Sequence, residues 1–311
     1  MTAVPFCGLR LAHPIVNGSG TFDAIAARRV FGDALLEAFP FSAFVSKTIT
    51  LQPRAGNPPP RLWEAQAGMI NSIGLPNRGL QGYLEHDLPE LAALAVPLIT
   101  NVMGSSEAEV AQLVEAVGDR PEVAAIELNV SCPNVETGLD IGADPRSLAA
   151  LVRAVRPLTR TPLIVKLTPN TADVAAVAVA AEREGADAVS LVNTLRATAL
   201  SPGTHEPWLG GGGGGLSGPA IRAVALAQVA AVARVVTIPI VGMGGVARGR
   251  HAWDLLAAGA TLVAVGTESF RDPVAASRIA LELKSLQIRK TPSTSVNESE
   301  AQVEVDVNSC L

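Results

Sequence analysis

The feature that most constrains this chain is a strict alternation of two kinds of segment. Short apolar, β-branched runs are each followed by an Ala- and Leu-rich stretch of helical period. The strand-like runs are His13–Asn17, Ala43–Lys47, Pro97–Val102, Ala124–Asn129, Pro162–Lys166, Asp187–Val192, Ile238–Val241 and Thr261–Val265. The helical stretches fall near 25–38, 77–94, 106–117, 145–157, 172–184, 219–234, 248–258 and 273–286. Near-continuous apolar strands are buried on both faces, and βα alternation joins them in parallel through βαβ units. Eight such units in about 250 residues are the arithmetic of a (β/α)8 TIM barrel. An open doubly wound sheet shares the local pattern and differs only in closure.

The 311 residues, 48% of them hydrophobic, suffice for one large core, and no boundary between domains is visible. We expect a single domain over 1–286 and a polar, disordered tail over 287–311. The 24 basic and 29 acidic residues leave a net charge of −5, and no Lys/Arg run is present. Nucleic acid and anionic membrane are therefore not the expected partners. The apolar stretches are too short to span a bilayer, and "MTAVPFCGLR" has no charged region leading into an apolar one, so no secretory signal is read. Three scattered cysteines, Cys7, Cys132 and Cys310, make no disulfide framework and fit a reducing cytoplasm.

Chemically useful residues gather at one end of the expected strands. Ser19 and Thr21 follow the first, Lys47 ends the second and Asn101 lies near the end of the third. Asn129 and Cys132 follow the fourth, Lys166 ends the fifth, and Asn193 and Thr194 follow the sixth. In a barrel, these C-terminal ends form the rim that carries the active site. Only four of the basic residues are Lys, and two of those sit on this rim, where a compact ammonium differs chemically from a guanidinium fork. "VGMGG" (241–245) and "VGT" (265–267) follow the last two strands, where barrel loops bind phosphate through bare backbone N–H groups.

Two connections, 48–76 and 193–218, are too long for turns and read as functional lids or disordered segments. The six glycines Gly210–Gly215 in the second read as a flexible loop, and "LSGPAI" after them as a helix start with Ser217 as cap and Pro219 in the first turn. In "ELNVSCPNVETG" (127–138), Cys132 stands in a polar loop among Asn129, Ser131 and Asn134, a placement that suits a proton acceptor or nucleophile. Gly138 and Gly142 leave the following loop free to close. No His is near in sequence, so neither a Cys–His pair nor a metal site is read.

"NVSCPNV" (129–135), "GMINSIGLPNRG" (68–79), "KLTPN" (166–170), "GGLSGPAI" (214–221), "GMGGV" (242–246) and "VGT" (265–267) occur in the order of the dihydroorotate dehydrogenases. With "RAGNPPPR" (54–61), the chain most resembles the class 1B catalytic subunits over about 4–285. The resemblance implies an FMN-containing barrel that oxidises (S)-dihydroorotate to orotate in pyrimidine biosynthesis. It makes Cys132 the general base for the C5 proton, with the C6 hydride passing to flavin N5. It implies that Lys47, Asn71, Ser72, Ile73, Gly74, Leu75, Asn129, Asn134, Asn193 and Thr194 hold the substrate. For FMN it implies Ser19, Lys47, Thr48, Asn101, Asn129, Lys166, Val192, Gly218, Gly244, Gly245, Gly266 and Thr267. It further implies a homodimer within a heterotetramer, whose second subunit carries FAD and a [2Fe–2S] cluster and passes electrons to NAD+. Three dispersed cysteines could not ligate such a cluster here. The other readings are a fumarate-using class 1A enzyme, a flavin-dependent dihydropyrimidine or dihydrouridine enzyme, and a flavin-free aldolase with Lys166 as its Schiff-base lysine.

Overall fold

The computed structural model describes residues 3–131 and 141–290. Strands β1 (Val4–Phe6) and β2 (Leu9–Leu11) pair as an antiparallel hairpin, and β3 (Ile15–Asn17) and β4 (Phe44–Val45) begin the main sheet. Strands β5 (Leu62–Ala65) and β6 (Gly68–Asn71) occupy the first long connection. Four more main-sheet strands follow: β7 (Leu98–Val102), β8 (Val123–Asn129), β9 (Leu163–Lys166) and β10 (Ala188–Leu191). Strands β11 (Leu195–Ala197) and β12 (Gly214–Ser217) fill the second long connection, and β13 (Ile240–Met243) and β14 (Leu262–Val265) complete the set.

All eight expected main strands are present and pair in parallel in the order β3-β14-β13-β10-β9-β8-β7-β4. The seam between β3 and β4 closes through a side chain. Fully buried Asn17 donates from Nδ2 to the Val45 carbonyl at 2.7 Å and accepts the Val45 N–H on Oδ1 at 2.7 Å. The Ser42 N–H adds a bond to the Ile15 carbonyl at 3.0 Å. A carboxamide carries the same donor and acceptor as a peptide group, so Asn17 acts as a missing rung. The result is the barrel rather than the open sheet.

Helices pack around the strands for local reasons that recur. Asp144 accepts the Ser147 N–H at 2.8 Å and caps Pro145–Val155, whose Leu148, Leu151, Val152 and Val155 are buried at helical spacing. Bonds from the Ser147 hydroxyl and N–H hold the Asp144 carboxyl below its ordinary pKa. Asp173 caps Val174–Arg183 in the same way, and Ser106 caps Glu107–Gly118. The last helix, Ala275–Lys290, runs past the boundary expected at 286. None of the described helices is long and apolar enough to cross a membrane.

The long connections are not loose lids. They build a second, antiparallel sheet of order β11-β12-β6-β5, and the glycine run supplies part of it. Gly214 and Gly215 lie in β12, with Gly215 opposite Asn71. A Cβ at Gly214 would strike the Asn71 carbonyl, and one at Gly215 the Thr194 side chain. Upstream, Gly210 lies against the Pro58 carbonyl in the same fashion. Close packing, not freedom of movement, explains the absence of side chains there. Ser217 is likewise no helix cap, since it ends β12 and its hydroxyl donates to the Met69 carbonyl at 3.3 Å, although Pro219 does open the following turn.

Removing the closing rung has a direct cost. Asn17→Ala leaves the Val45 N–H and C=O buried without partners, so unfolding by urea followed by far-UV circular dichroism is expected to show a loss of about 2–6 kcal/mol, two groups at about 1–3 kcal/mol each. A loss under ~0.5 kcal/mol would show that the seam holds without the carboxamide.

Candidate active site

The barrel interior changes character along its axis. Phe6 and Leu11 of the hairpin plug the end where the strands begin, against Ala43, Ala125, Ala188 and Leu262. Val16, Val45, Ile99, Ile164, Val241, Met243 and Ala264 continue the apolar filling. Two residues further along the strands, the same inward faces carry Asn101, Glu127, Lys166 and Ser190, as a period of two requires. These are buried too, at 0%, 3%, 6% and 0% exposure. Glu127 accepts from Asn101 Nδ2 at 2.5 Å and from the Ser190 hydroxyl at 2.8 Å. The Asn101 Oδ1 has no donor, and the Lys166 ammonium has no polar partner among the described residues. Buried polar groups are ordinarily satisfied, so the open Asn101 oxygen beside Lys166 in this layer marks a place for a ligand.

Above this layer lies a cluster of amides. Asn193 Nδ2 donates to Asn129 Oδ1 at 3.3 Å and to the Ser131 hydroxyl at 2.9 Å, while Asn193 Oδ1 accepts the Thr194 N–H at 2.8 Å. Asn170 Nδ2 donates to the Thr194 carbonyl at 3.0 Å. With Ser131, Arg196, Gly214 and Gly215, the residues Asn170, Asn193 and Thr194 line a cavity of about 180 Å³. Cys132 and Asn134, expected beside this cluster, lie outside the described residues, as does Gly138. Gly142 is described and is no free hinge: it is buried, its N–H donates to the Val130 carbonyl at 2.9 Å, and a Cβ would strike Val130.

The β3–β4 side supplies Ser19, Lys47 and Thr48. The Ser19 hydroxyl donates to the Ser46 carbonyl at 2.8 Å and lies 3.3 Å from the Thr48 hydroxyl. Lys47 is exposed by area yet stands in a concave mouth. Loss of hydration is the first cause that lowers its pKa from the ordinary lysine value. Arg61 adds to the lowering, while Asp23 and Asp87 oppose it. We read this as crowding at the mouth rather than true burial. The segment Asn71–Leu75 runs alongside. Asn71 donates to the Gly215 carbonyl at 3.2 Å, and buried Ser72 receives Asn57 Nδ2 on its hydroxyl at 3.0 Å. The Ile73 carbonyl accepts the Asn57 N–H at 3.0 Å, and the Leu75 carbonyl accepts Asn77 Nδ2 at 2.8 Å. Gly74 (φ 75°) and Leu75 (φ 54°) are both left-handed, a conformation uncommon for leucine that these side-chain ties hold in place.

The third wall is an arc of glycines after β12, β13 and β14. Gly218, Gly244 and Gly245 all have positive φ, and the Gly218 carbonyl abuts Gly245 so closely that a Cβ there would sit 2.8 Å away. The Thr267 hydroxyl donates to the Ser217 hydroxyl at 2.8 Å, tying β14 to β12, and Gly266 packs beside Gly18. Buried Val192 backs the arc, its N–H bonded to the Met243 carbonyl at 3.0 Å. The N–H groups of Gly244, Gly245, Gly266 and Thr267 have no acceptor among the described residues. Such a nest of free donors suits a phosphate. A wider hollow of about 500 Å³ behind this arc is lined by Arg248, Arg271 and Arg278 with Glu268. Arg278 pairs there with Glu268, Asp272 and Glu282, so its charge is already balanced.

The structure therefore brings the described site residues to one mouth. A flavin mononucleotide matches what they offer: a phosphate for the glycine arc, a ring donor for Asn101 Oδ1 and an electron-rich ring edge for Lys166. Sequence reasoning missed Glu127, Ser190, Asn57, Asn77 and Asn170. Glu127 had a readable signal, being a lone acid in an apolar run, two residues before Asn129 and so on the same strand face. Cys7 is partly buried, and burial, then Asp187, pushes its thiol up to about 12, so it has no place in the chemistry.

Comparison with known sequences gives one answer. The family profile described as Dihydroorotate dehydrogenase matches residues 1–286. A protein of Desulforudis audaxviator named dihydroorotate dehydrogenase B (NAD(+)), catalytic subunit, is 44% identical over 287 residues, covering 91% of each chain. Its counterpart in Geobacter sulfurreducens, of the same name, is 43% identical over 91% of this chain and 92% of its own. A Solibacter usitatus protein carrying the provisional name dihydroorotate dehydrogenase A (fumarate) is 44% identical over 90% of this chain and 91% of its own. On profile, relatives and fold alike, the chain belongs to the dihydroorotate dehydrogenase family.

Proposed function

We propose that the chain is the catalytic subunit of an NAD+-linked dihydroorotate dehydrogenase, oxidising (S)-dihydroorotate to orotate for pyrimidine (UMP) biosynthesis. The observation that carries this reading is the amide cluster of Asn129, Asn193 and Thr194 set above a buried layer that holds Lys166 and one unmet acceptor, Asn101 Oδ1. The substrate is a small ring with amide edges and one carboxylate. Side-chain amides present both donor and acceptor, and so match such edges on either side. Lys47 and the N–H groups along Asn71–Leu75 supply positive potential for the carboxylate. FMN, when bound by the glycine arc, Ser19, Thr48, Asn101 and Lys166, supplies the acceptor for the hydride leaving C6. Cys132 takes the C5 proton, and loss of proton and hydride together leaves the C5=C6 double bond of orotate. Asn134 completes the grip on the substrate. Lys166 holds a positive charge where electron density accumulates. The aldolase reading loses support because the family profile and the relatives are dihydroorotate dehydrogenases.

The names of the Desulforudis and Geobacter relatives support an NAD+ acceptor reached through a separate subunit. In this reading the partner carries FAD and a [2Fe–2S] cluster, and two catalytic subunits form a homodimer inside a cytoplasmic heterotetramer. The Solibacter relative favours a second reading in which fumarate is the acceptor and no partner is needed.

Three outcomes follow. Cys132→Ser is expected to retain FMN while flavin reduction by dihydroorotate, followed by stopped-flow absorbance at neutral pH, slows by at least ~10²-fold, the scale of lost base catalysis. An unchanged rate would remove Cys132 from the reaction. Lys47→Ala is expected to raise KM for dihydroorotate by about 10–100-fold through loss of a charge-assisted bond. In the wild type the same affinity should decline on the alkaline side, beginning below the pH set by a free lysine, because the lowered pKa leaves the amine neutral sooner. Finally, turnover with NAD+ should require a co-purified iron–sulfur flavoprotein, and turnover of the isolated chain with fumarate would select the second reading instead.

A further inference from the structure

Glu127 has no part in the reaction as derived above, yet it is 3% exposed inside the barrel, directly beneath the site. Its carboxylate accepts from Asn101 Nδ2 at 2.5 Å and from the Ser190 hydroxyl at 2.8 Å. A carboxylate has two acceptor oxygens and no donor. The Asn101 carboxamide can therefore satisfy it in one orientation only, with its NH2 group toward Glu127 and its oxygen turned away. That oxygen is fully buried and has no donor. Asn101 is on β7, four places round the sheet from β13, where the glycine arc begins. In a barrel of eight strands, four places is the opposite wall. A ligand whose phosphate lies in the arc meets Asn101 with its far end, and in FMN the far end is the isoalloxazine.

We propose that Glu127 is a positioning residue for the cofactor: it locks the Asn101 carboxamide so that Oδ1 is presented to a ring N–H of the bound flavin. This rests on the FMN reading above. The oxidised isoalloxazine has one ring N–H, the imide, and no other polar atom of the ring can give a proton to a neutral acceptor. Ser190 serves the same end by occupying the second carboxylate oxygen, which keeps Glu127 from turning. Without the carboxylate, the amide of Asn101 is free to flip, and its NH2 group would then face the imide N–H, donor against donor.

The test uses the full-length chain stripped of flavin and titrated with FMN, with the dissociation constant read from flavin fluorescence. Glu127→Gln is expected to weaken FMN by at least ~10-fold, because the introduced carboxamide can offer its own NH2 and draw the Asn101 oxygen inward. Asn101→Asp alone sets two carboxylates against each other and should weaken FMN at least as much. The exchanged pair, E127Q with N101D, should return to within ~3-fold of wild type. In that pair the amide on β8 donates to the carboxylate on β7 and still accepts from Ser190, which leaves the second carboxylate oxygen facing the ring. A residue that merely filled the interior would give no such recovery. An exchanged pair no better than the worse single variant, or Glu127→Gln binding FMN as wild type does, would overturn the proposal and leave the FMN reading standing. Failure of the wild-type chain to bind FMN would overturn both. If Asn101→Asp does not fold by far-UV circular dichroism, E127Q/N101A is compared with N101A: equal dissociation constants support the relay, and a further loss in the double variant overturns it.

Discussion

The whole arrangement depends on a ring of eight strands being closed, and the last seam is held by the Asn17 carboxamide together with the bond from Ser42 to Ile15. Asn17 lends β4 the donor and acceptor that a peptide group on β3 would otherwise provide. Closure fixes which side chains share the interior and how far apart they stand. With the hairpin residues Phe6 and Leu11 filling one end, water and ligands have only the other end to enter, so the polarity gradient along the axis becomes a site with a floor and a mouth. An open sheet with the same strands would leave Asn101 and Glu127 at one margin and the glycine arc far from them.

The second sheet matters for a related reason. It is assembled from two connections more than a hundred residues apart, and it gives the mouth a side wall of hydrogen-bonded strands. Asn71 and Gly215 face one another across β6 and β12, which places the Asn71–Leu75 segment beside the amide cluster around Asn193. Small residues are needed where the two connections touch, since any side chain at Gly214 would strike the Asn71 carbonyl. Chain thickness, more than chemistry, decides the sequence at this junction.

Much of the fold was legible because the eight barrel strands are apolar on both faces and need no partner information to be recognised. The rim residues were legible for the same reason: counting along each strand in steps of two brings Lys166, Asn129 and Asn101 to one end. The second sheet was not legible. Its strands β11 and β12 are short, and in β12 the alternation that marks a strand is erased by glycine, whose role there depends on contacts with distant chain. Asn17 reads only as the end of the His13–Asn17 strand, since nothing local distinguishes an asparagine that ends a strand from one that completes a sheet. The same limit hid Glu127, whose partners Asn101 and Ser190 come from separate strands. Cys132 and Asn134, the residues most telling in the sequence, lie outside the described part of the chain, and their roles rest on resemblance and chemistry.

The pairing of β14 with β3 joins residues 262–265 to residues 15–17. During synthesis β3 leaves the ribosome well before β14, and until β14 follows the sheet is an unclosed ribbon with both margins bare. Contacts between such distant segments are slow to form and leave exposed edges in the meantime. Nascent chains of this protein should therefore depend on chaperone holding until β14 has emerged, and truncations that stop short of residue 262 should accumulate as aggregates rather than as smaller stable folds.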